Sequence, residues 1–371
     1  MNANEIIMAV MAVFFVIAAA DRCLNGRLGF AGELERGFSM LGVMALNVVG
    51  VVCIAPLIAR LLQPVVLPVF EILGADPAMF SGCILSPDSG GYSIAAELSG
   101  NPELICFGGL LVSMILGTVV CFTIPVSCGL LEDEQDIRYF AVGILAVFSV
   151  SPVTCFFAGL LIGLPAGTVL RNLVPVIIVA GAVIAGLALI PQKMIQGFKV
   201  FAGGLRIVVM AGLVLGAAEK MMDLSLVEGL APIEQGFGII GAATITMAGA
   251  LPMLFFLQKA GKRLLDTVGT RLGLSDVCLT SMVVSTVTFI PSIMSFPELN
   301  VREKVLLSGT IASLCNMIGA PLGYIAATDR TMIVPMVTAK LLSGVMTLPL
   351  CAFLGRRMFP EQWERREREG E

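Results

Sequence analysis

Apolar residues along this chain come in blocks of about 17–25, separated by short polar stretches rather than arranged in alternating runs of about ten. Blocks of that length suit α-helices crossing a hydrocarbon core of roughly 30 Å. The missing alternation argues against an outer-membrane barrel. The pattern predicts an all-α, polytopic helical membrane protein with about eleven spans (10–12), at 5–20, 37–59, 76–98, 104–127, 139–163, 172–190, 204–219, 236–257, 276–296, 304–327 and 331–353. Residues 64–73 are too short to span and read as a re-entrant or interfacial piece. In 191–201, Lys193 and Lys199 stand against Met194, Ile195 and Phe198, the pattern of a segment lying in the interface. The polar tail from Arg356, with Trp363, reads as an exposed or frayed helix.

Composition strengthens this picture. Of 371 residues 57% are hydrophobic, 13% are charged and none is histidine. A soluble domain carries about a quarter charged residues, so most of this surface faces something other than water. The 40 glycines and 19 prolines fit membrane helices, where both are common. A net charge of −4 with no basic domain offers nucleic acid no partner surface. The ten cysteines fall mostly inside apolar blocks with no C-x-x-C pair, so neither a metal site, nor another cofactor site, nor a disulfide framework is expected. Ala18-Ala19-Ala20 resembles a cleavage site, but Met1 to Glu5 contains no positive residue, and the first block reads as a retained span. With eleven spans, lysine and arginine divide almost evenly between the two faces, and only the arginine-rich tail leans towards a cytoplasmic C-terminus.

The chain also echoes itself. Gly37-Phe-Ser-Met-Leu-Gly42 and Gly236-Phe-Gly-Ile-Ile-Gly241 stand 199 residues apart, and at the same offset Gly50 meets Gly249, Leu73-Gly74 meets Leu272-Gly273 and Ser86 meets Ser285. This predicts a repeat at 1–163, a linker span and interfacial segment at 164–203, a second repeat at 204–355 and a tail at 356–371. Each half would hold five spans in opposed orientation, with discontinuous third and ninth spans, as in many secondary transporters.

The third span, Phe80 to Leu98, contains Ser86-Pro87-Asp88-Ser89-Gly90-Gly91-Tyr92. Pro87 removes a backbone donor and the glycine pair weakens the helix, so free backbone groups gather around Asp88. An intramembrane carboxylate is a functional candidate by default; the plain alternative is a solvated turn between two short spans. The equivalent place reads Ser285-Thr-Val-Thr-Phe-Ile-Pro-Ser292, with hydroxyls but no acid. A cavity built from both breaks takes its charge from the first half, which suits a cationic solute or a coupling cation. Candidate binding residues are Asp88, Ser86, Ser89, Gly90, Gly91, Tyr92, Thr286, Thr288 and Asn316. Glu97 and Lys340 are candidates for structural or coupling roles; Lys340 in particular is expected to snorkel or to pair with an acid. Asp329-Arg330 reads as a loop pair.

These residues resemble the EutH-type ethanolamine permease family of bacterial ethanolamine-utilisation operons. The likeness runs over nearly the whole chain: Asn4 to Met8, the Ala-Ala-Asp-Arg ending at Arg22, Pro68 to Phe80, Asp88-x-Gly-Gly-Tyr92, Ala96-Glu-Leu98, Pro191 to Phe198, Gly323-Tyr324 and Lys340-Leu-x-x-Gly-Val345. It implies a multi-pass permease of the bacterial inner (cytoplasmic) membrane that admits ethanolamine, as its ammonium, for a cytoplasmic cobalamin-dependent ammonia lyase. Three places depart from the family pattern: Ala96 where it has lysine, Thr288-Phe289 where it has two asparagines, and Ala320-Pro321 where it has Asp-His. Such changes admit a closely related small amine. The alternatives are a cation-coupled transporter of another small polar solute, with Asp88 holding Na⁺ or H⁺, and an intramembrane enzyme. The enzyme reading suffers from having one mid-span acid and no histidine.

Overall fold

The computed structural model describes residues 3–364 other than 224 and 226, with backbone alone at 262–266, 268, 270, 271 and 364. The described residues form helices and connecting turns, and eight helices are long and apolar enough to cross a membrane. The all-α, polytopic expectation holds. In chain order the helices are α1 (Ala3–Cys23), α2 (Phe30–Leu73), α3 (Ala78–Ile84), α4 (Gly91–Leu98), α5 (Pro102–Leu130), α6 (Glu134–Leu161), α7 (Ala166–Leu189) and α8 (Pro191–Met222). They continue as α9 (Ile233–Leu272), α10 (Asp276–Ser285), α11 (Ile290–Met294), α12 (Val301–Leu314), α13 (Ala320–Thr328), α14 (Ile333–Met358) and α15 (Pro360–Glu364).

Helix α2 runs 44 residues without a stop, through Pro56, Pro64 and Pro68. The expected span at 37–59 and the short piece at 64–73 are therefore one helix, about 66 Å long. Proline is tolerated there because membrane helices re-satisfy the lost backbone bond through local rewinding and neighbours. Helix α8 likewise absorbs the expected interfacial stretch 191–201 into one 32-residue helix. Part of the polar tail docks rather than frays: Trp363 is buried against Gly355 of α14, while residues 365–371 lie outside the described residues.

The third and ninth expected spans are both interrupted, and each folds back on itself at the interruption. In the first, the Ser81 hydroxyl donates to the Gly91 carbonyl at 2.8 Å. Ten residues of continuing helix would separate them by about 15 Å, so α4 has turned back along α3. Both halves lie on α5, with α3 beside Gly108 and α4 beside Gly109. In the second, the Ser292 hydroxyl donates to the Ser281 carbonyl at 2.7 Å, and Ser281 and Ser295 share a bond at 2.8 Å. Each segment is a helical hairpin.

Helix α5 forms the centre. Phe107, Leu110, Leu111, Val112 and Met114 are fully buried, as an all-apolar helix should be. Over Phe107–Gly117 and Val119–Thr123 it is wound wider than an α-helix, and Thr118 and Thr123 donate to carbonyls five residues back, at 3.1 and 3.3 Å.

Element boundaries recur at the 199-residue spacing. Helices α2 and α9 both end on a left-handed glycine, Gly74 (φ 65°) and Gly273 (φ 62°). Helices α5 and the α12–α13 segment both open on an asparagine, Asn101 and Asn300, whose side chain accepts from backbone N–H groups of the first turn. The hairpins follow α2 and α9, and α6 (134–161) is answered by α14 (333–358). Helix α7 has no counterpart.

Candidate functional site

The tips of the two hairpins meet in the interior. At the first tip Leu85 and Ser86 are extended, Pro87-Asp88-Ser89 makes a single tight turn, and Gly90 takes φ 107°. Ser86 is the anchor: its carbonyl accepts from Ser89 N at 3.0 Å and Gly91 N at 2.9 Å, and its own N–H donates to the Cys121 thiol at 3.2 Å. The Ser113 hydroxyl of α5 donates to the Leu85 carbonyl, and the Ser86 hydroxyl donates to Asp88. Gly90 cannot be exchanged cheaply, since a Cβ there would meet Val51 at 2.7 Å in a conformation that side chains avoid. A Cβ on Gly91 would stand 2.1 Å from the Ser113 hydroxyl oxygen. The glycine pair thus lets the tip pack closely on α2 at Val51 and on α5 at Ser113.

The second tip rests on a true break. Between α12 and α13 the chain unwinds at Cys315–Gly319, and Asn316 takes φ 55°, a left-handed conformation that asparagine tolerates better than most residues. Asn316 N donates to the Ser285 carbonyl at 3.3 Å and Ile318 N to the Thr286 carbonyl at 2.9 Å. The hairpin tip satisfies backbone groups that the break sets free.

Between these tips, α2 and α5 lies a cavity of about 270 Å³. Its polar lining is Asp88, Ser86, Ser89, Thr118, Thr288, Asn316 and Asn47; Met40, Val43, Met44, Phe122, Val287, Ile290, Ala320 and Pro321 complete the wall. Asp88 is half-buried, and among the described residues no cation pairs with it. A carboxylate facing a small, mainly apolar cavity attracts a compact cation strongly, because little water screens it. Hydroxyl and amide groups around it can bond a second polar atom of the same solute.

Of the nine candidate binding residues, Ser86, Asp88, Ser89, Thr288 and Asn316 line this cavity together. Gly90 and Gly91 shape the tip. Thr286 turns its hydroxyl to the Val283 carbonyl at 2.7 Å, and Tyr92 lies on α4 outside the lining. Glu97 is exposed near the far end of α4. Lys340 neither snorkels nor pairs: it is fully buried on α14, and its Nζ has no hydrogen-bond partner among the described residues. The Asp329 carboxylate accepts from Thr331 N at 2.9 Å, as befits a turn residue. Sequence reasoning missed Asn47 and Thr118. The signal for Asn47 was an amide in an otherwise apolar run, Leu46-Asn47-Val48. Three positions that depart from the resembled pattern, Thr288, Ala320 and Pro321, all face the cavity.

The family profile described as "Ethanolamine utilisation protein, EutH" matches residues 3–354. A protein of Listeria monocytogenes named "Probable ethanolamine permease EutH" is 34% identical, with 96% of this chain and 96% of the relative aligned. A protein of Escherichia coli K12 with the same name is also 34% identical, over 95% of this chain and 96% of its own. A Bacillus subtilis relative, "Uncharacterized protein YxeR", is 32% identical over 98% of both chains. No solved structure matches significantly.

Proposed function

The chain belongs to the EutH family of ethanolamine utilisation proteins, and on that premise we propose that it is a permease for ethanolamine or a closely related small amine. One observation carries the reading: an intramembrane carboxylate, Asp88, faces a cavity of small-solute size with no cation of the described chain against it. The substrate's ammonium sits against Asp88, a charge-assisted contact. Its hydroxyl reaches Ser89, Thr288 or Asn316. Uptake of labelled ethanolamine into proteoliposomes tests this. The Asp88→Asn variant is expected to lose uptake, and normal transport by that variant would remove Asp88 from the mechanism.

The fold supports a carrier of two inverted halves. If both hairpins turn back and α12–α13 counts as one crossing, each half crosses four times and α7 once more. Equivalent helices are then five crossings apart, which turns the second half over. The same count separates the positive charges. Arg22, Arg27, Arg36, Arg138, Lys193, Lys199, Arg302, Lys304, Arg356 and Arg357 fall on one face, against Arg60, Arg171, Lys220 and Arg330 on the other. By the positive-inside rule the former is cytoplasmic, with the C-terminal end of α14 inside and the start of α1 outside. The protein is multi-pass; its place is the bacterial inner membrane, delivering the amine to a cytoplasmic ammonia lyase. The relatives carry the name permease, which leaves the enzyme alternative without support. The other alternative, a second polar solute driven by Na⁺ or H⁺ at Asp88, would show as uptake of that solute dependent on the corresponding gradient.

A further inference from the structure

Lys340 stands two turns into α14, wholly buried, with its Nζ unpartnered among the described residues. An isolated buried ammonium is costly, so such a lysine keeps its proton only while negative charge nearby compensates. The helices packed on α14 bring few candidates. From α6, Asp136 is bound to Lys304 at 2.6 Å and Cys155 is a buried thiol. From α13, the Tyr324 hydroxyl is shared with Ser93 at 3.3 Å; from the α12 end comes Cys315, next to Leu314, which packs against Gly344 one turn along α14 from Lys340. Cys315 also adjoins Asn316 in the cavity wall, and its thiol meets the Thr123 hydroxyl of α5 at 3.3 Å. The end of α12 that packs on α14 beside Lys340 thus runs straight into the cavity wall at Asn316. Lys340 and Asp88 both stand outside any ion pair among the described residues.

A polar seam leads away from Lys340. Ser343 and Thr347 follow at three and seven residues on the same face of α14, both buried, both with hydroxyls lacking a partner. Thr347 packs beside Gly309 of α12, whose first turn carries Lys304, paired with Asp136 of α6. Orphaned hydroxyls in a row are what a file of water satisfies.

We propose that Lys340 is a proton site coupled to the cavity, holding a proton while Asp88 is unoccupied and releasing it when a cationic amine settles there. This rests on the amine-binding reading of the cavity. The N–H bond of the Lys340 ammonium breaks, its electron pair stays on Nζ, and the proton leaves along the seam to water near Asp136 and Lys304. The interior charge is the same before and after. Transport of the ammonium form is then an exchange of one cation for one proton.

Purified full-length protein in weak buffer with a pH-indicating dye tests this, with bound radiolabelled ethanolamine counted in parallel. The native protein is expected to release about one proton per amine bound, and its affinity to rise with pH by up to about tenfold per unit. Lys340→Met should bind ethanolamine with no proton release and little pH dependence, and Lys340→Gln should repeat the result should the first variant fold poorly. Thr347→Val should slow the release and leave affinity unchanged. Ethanolamine binding without proton release by the native protein, or equal release from the lysine variants, would overturn the proposal. Failure of the native protein to bind ethanolamine at all would instead sink the reading of the cavity, and this proposal with it.

Discussion

The two hairpins are built to one plan and equipped differently. Ser86 in one and Ser285 in the other each give a carbonyl that ties the tip together: to Ser89 and Gly91 in the first, and to Asn316 in the second. Ser89 and Thr288, again 199 apart, both line the cavity, and Asp88 and Val287 line it from equivalent positions. Supporting helices differ too. Helix α5 stays continuous behind the first tip by winding wider, whereas α12–α13 breaks outright behind the second and exposes Asn316. One half supplies full charge and the other neutral donors and acceptors. On the proposed reading the two tips hold the amine end to end: ammonium against the first, hydroxyl against the second.

Moving the charge would strain that comparison most. Asp88→Asn should weaken ethanolamine binding about 30-fold or more, since losing one side of a desolvated charge pair costs roughly 2–5 kcal/mol. Adding Val287→Asp to that variant should recover part of the affinity in a binding titration. No recovery would show that the two tips are not equivalent. Next in size is backbone conformation. Gly90→Ala should lower thermal stability by about 2 kcal/mol, because φ 107° and Val51 both oppose a Cβ. At the equivalent Phe289, with φ −92°, leucine should cost about 1 kcal/mol. The second half's polar contribution is smaller. Asn316→Gly keeps the left-handed turn, and should weaken ethanolamine roughly tenfold while leaving ethylamine nearly untouched. An equal loss for both amines would place Asn316 outside hydroxyl recognition. Thr288→Val should show the same selectivity at about half that free energy, read from the same pair of titrations.

Much of the architecture could be read from the amino acids, because a bilayer demands long apolar runs and Asp88 beside Pro87 and Gly90-Gly91 stands out among them. Hydropathy reports polarity, however, and not direction. Residues 76–98 and 276–296 are long enough to cross, so they read as spans although each folds back at its tip. The opposite error came at 64–73, which is too short to span and reads as a separate re-entrant or interfacial piece, yet α2 runs through Pro64 and Pro68 and includes it. At the site, the acid and four partners were legible as polar residues near the breaks. Asn47 and Thr118 were not, since they reach the cavity from α2 and α5 only once those helices are packed around it. Lys340 was visible, but its lack of a partner is a property of packing and not of order along the chain.

The hairpins also govern the order in which this protein can be made. Neither α3 nor α4 is long enough to cross lipid, and the tip between them bears a carboxylate and backbone carbonyls that hydrocarbon cannot satisfy. Their shelter, α5, is translated afterwards, and the same is true of α10 and α11 with respect to α12 and α13. Each hairpin must therefore wait beside the insertion machinery until the next helix emerges, and the two enter together.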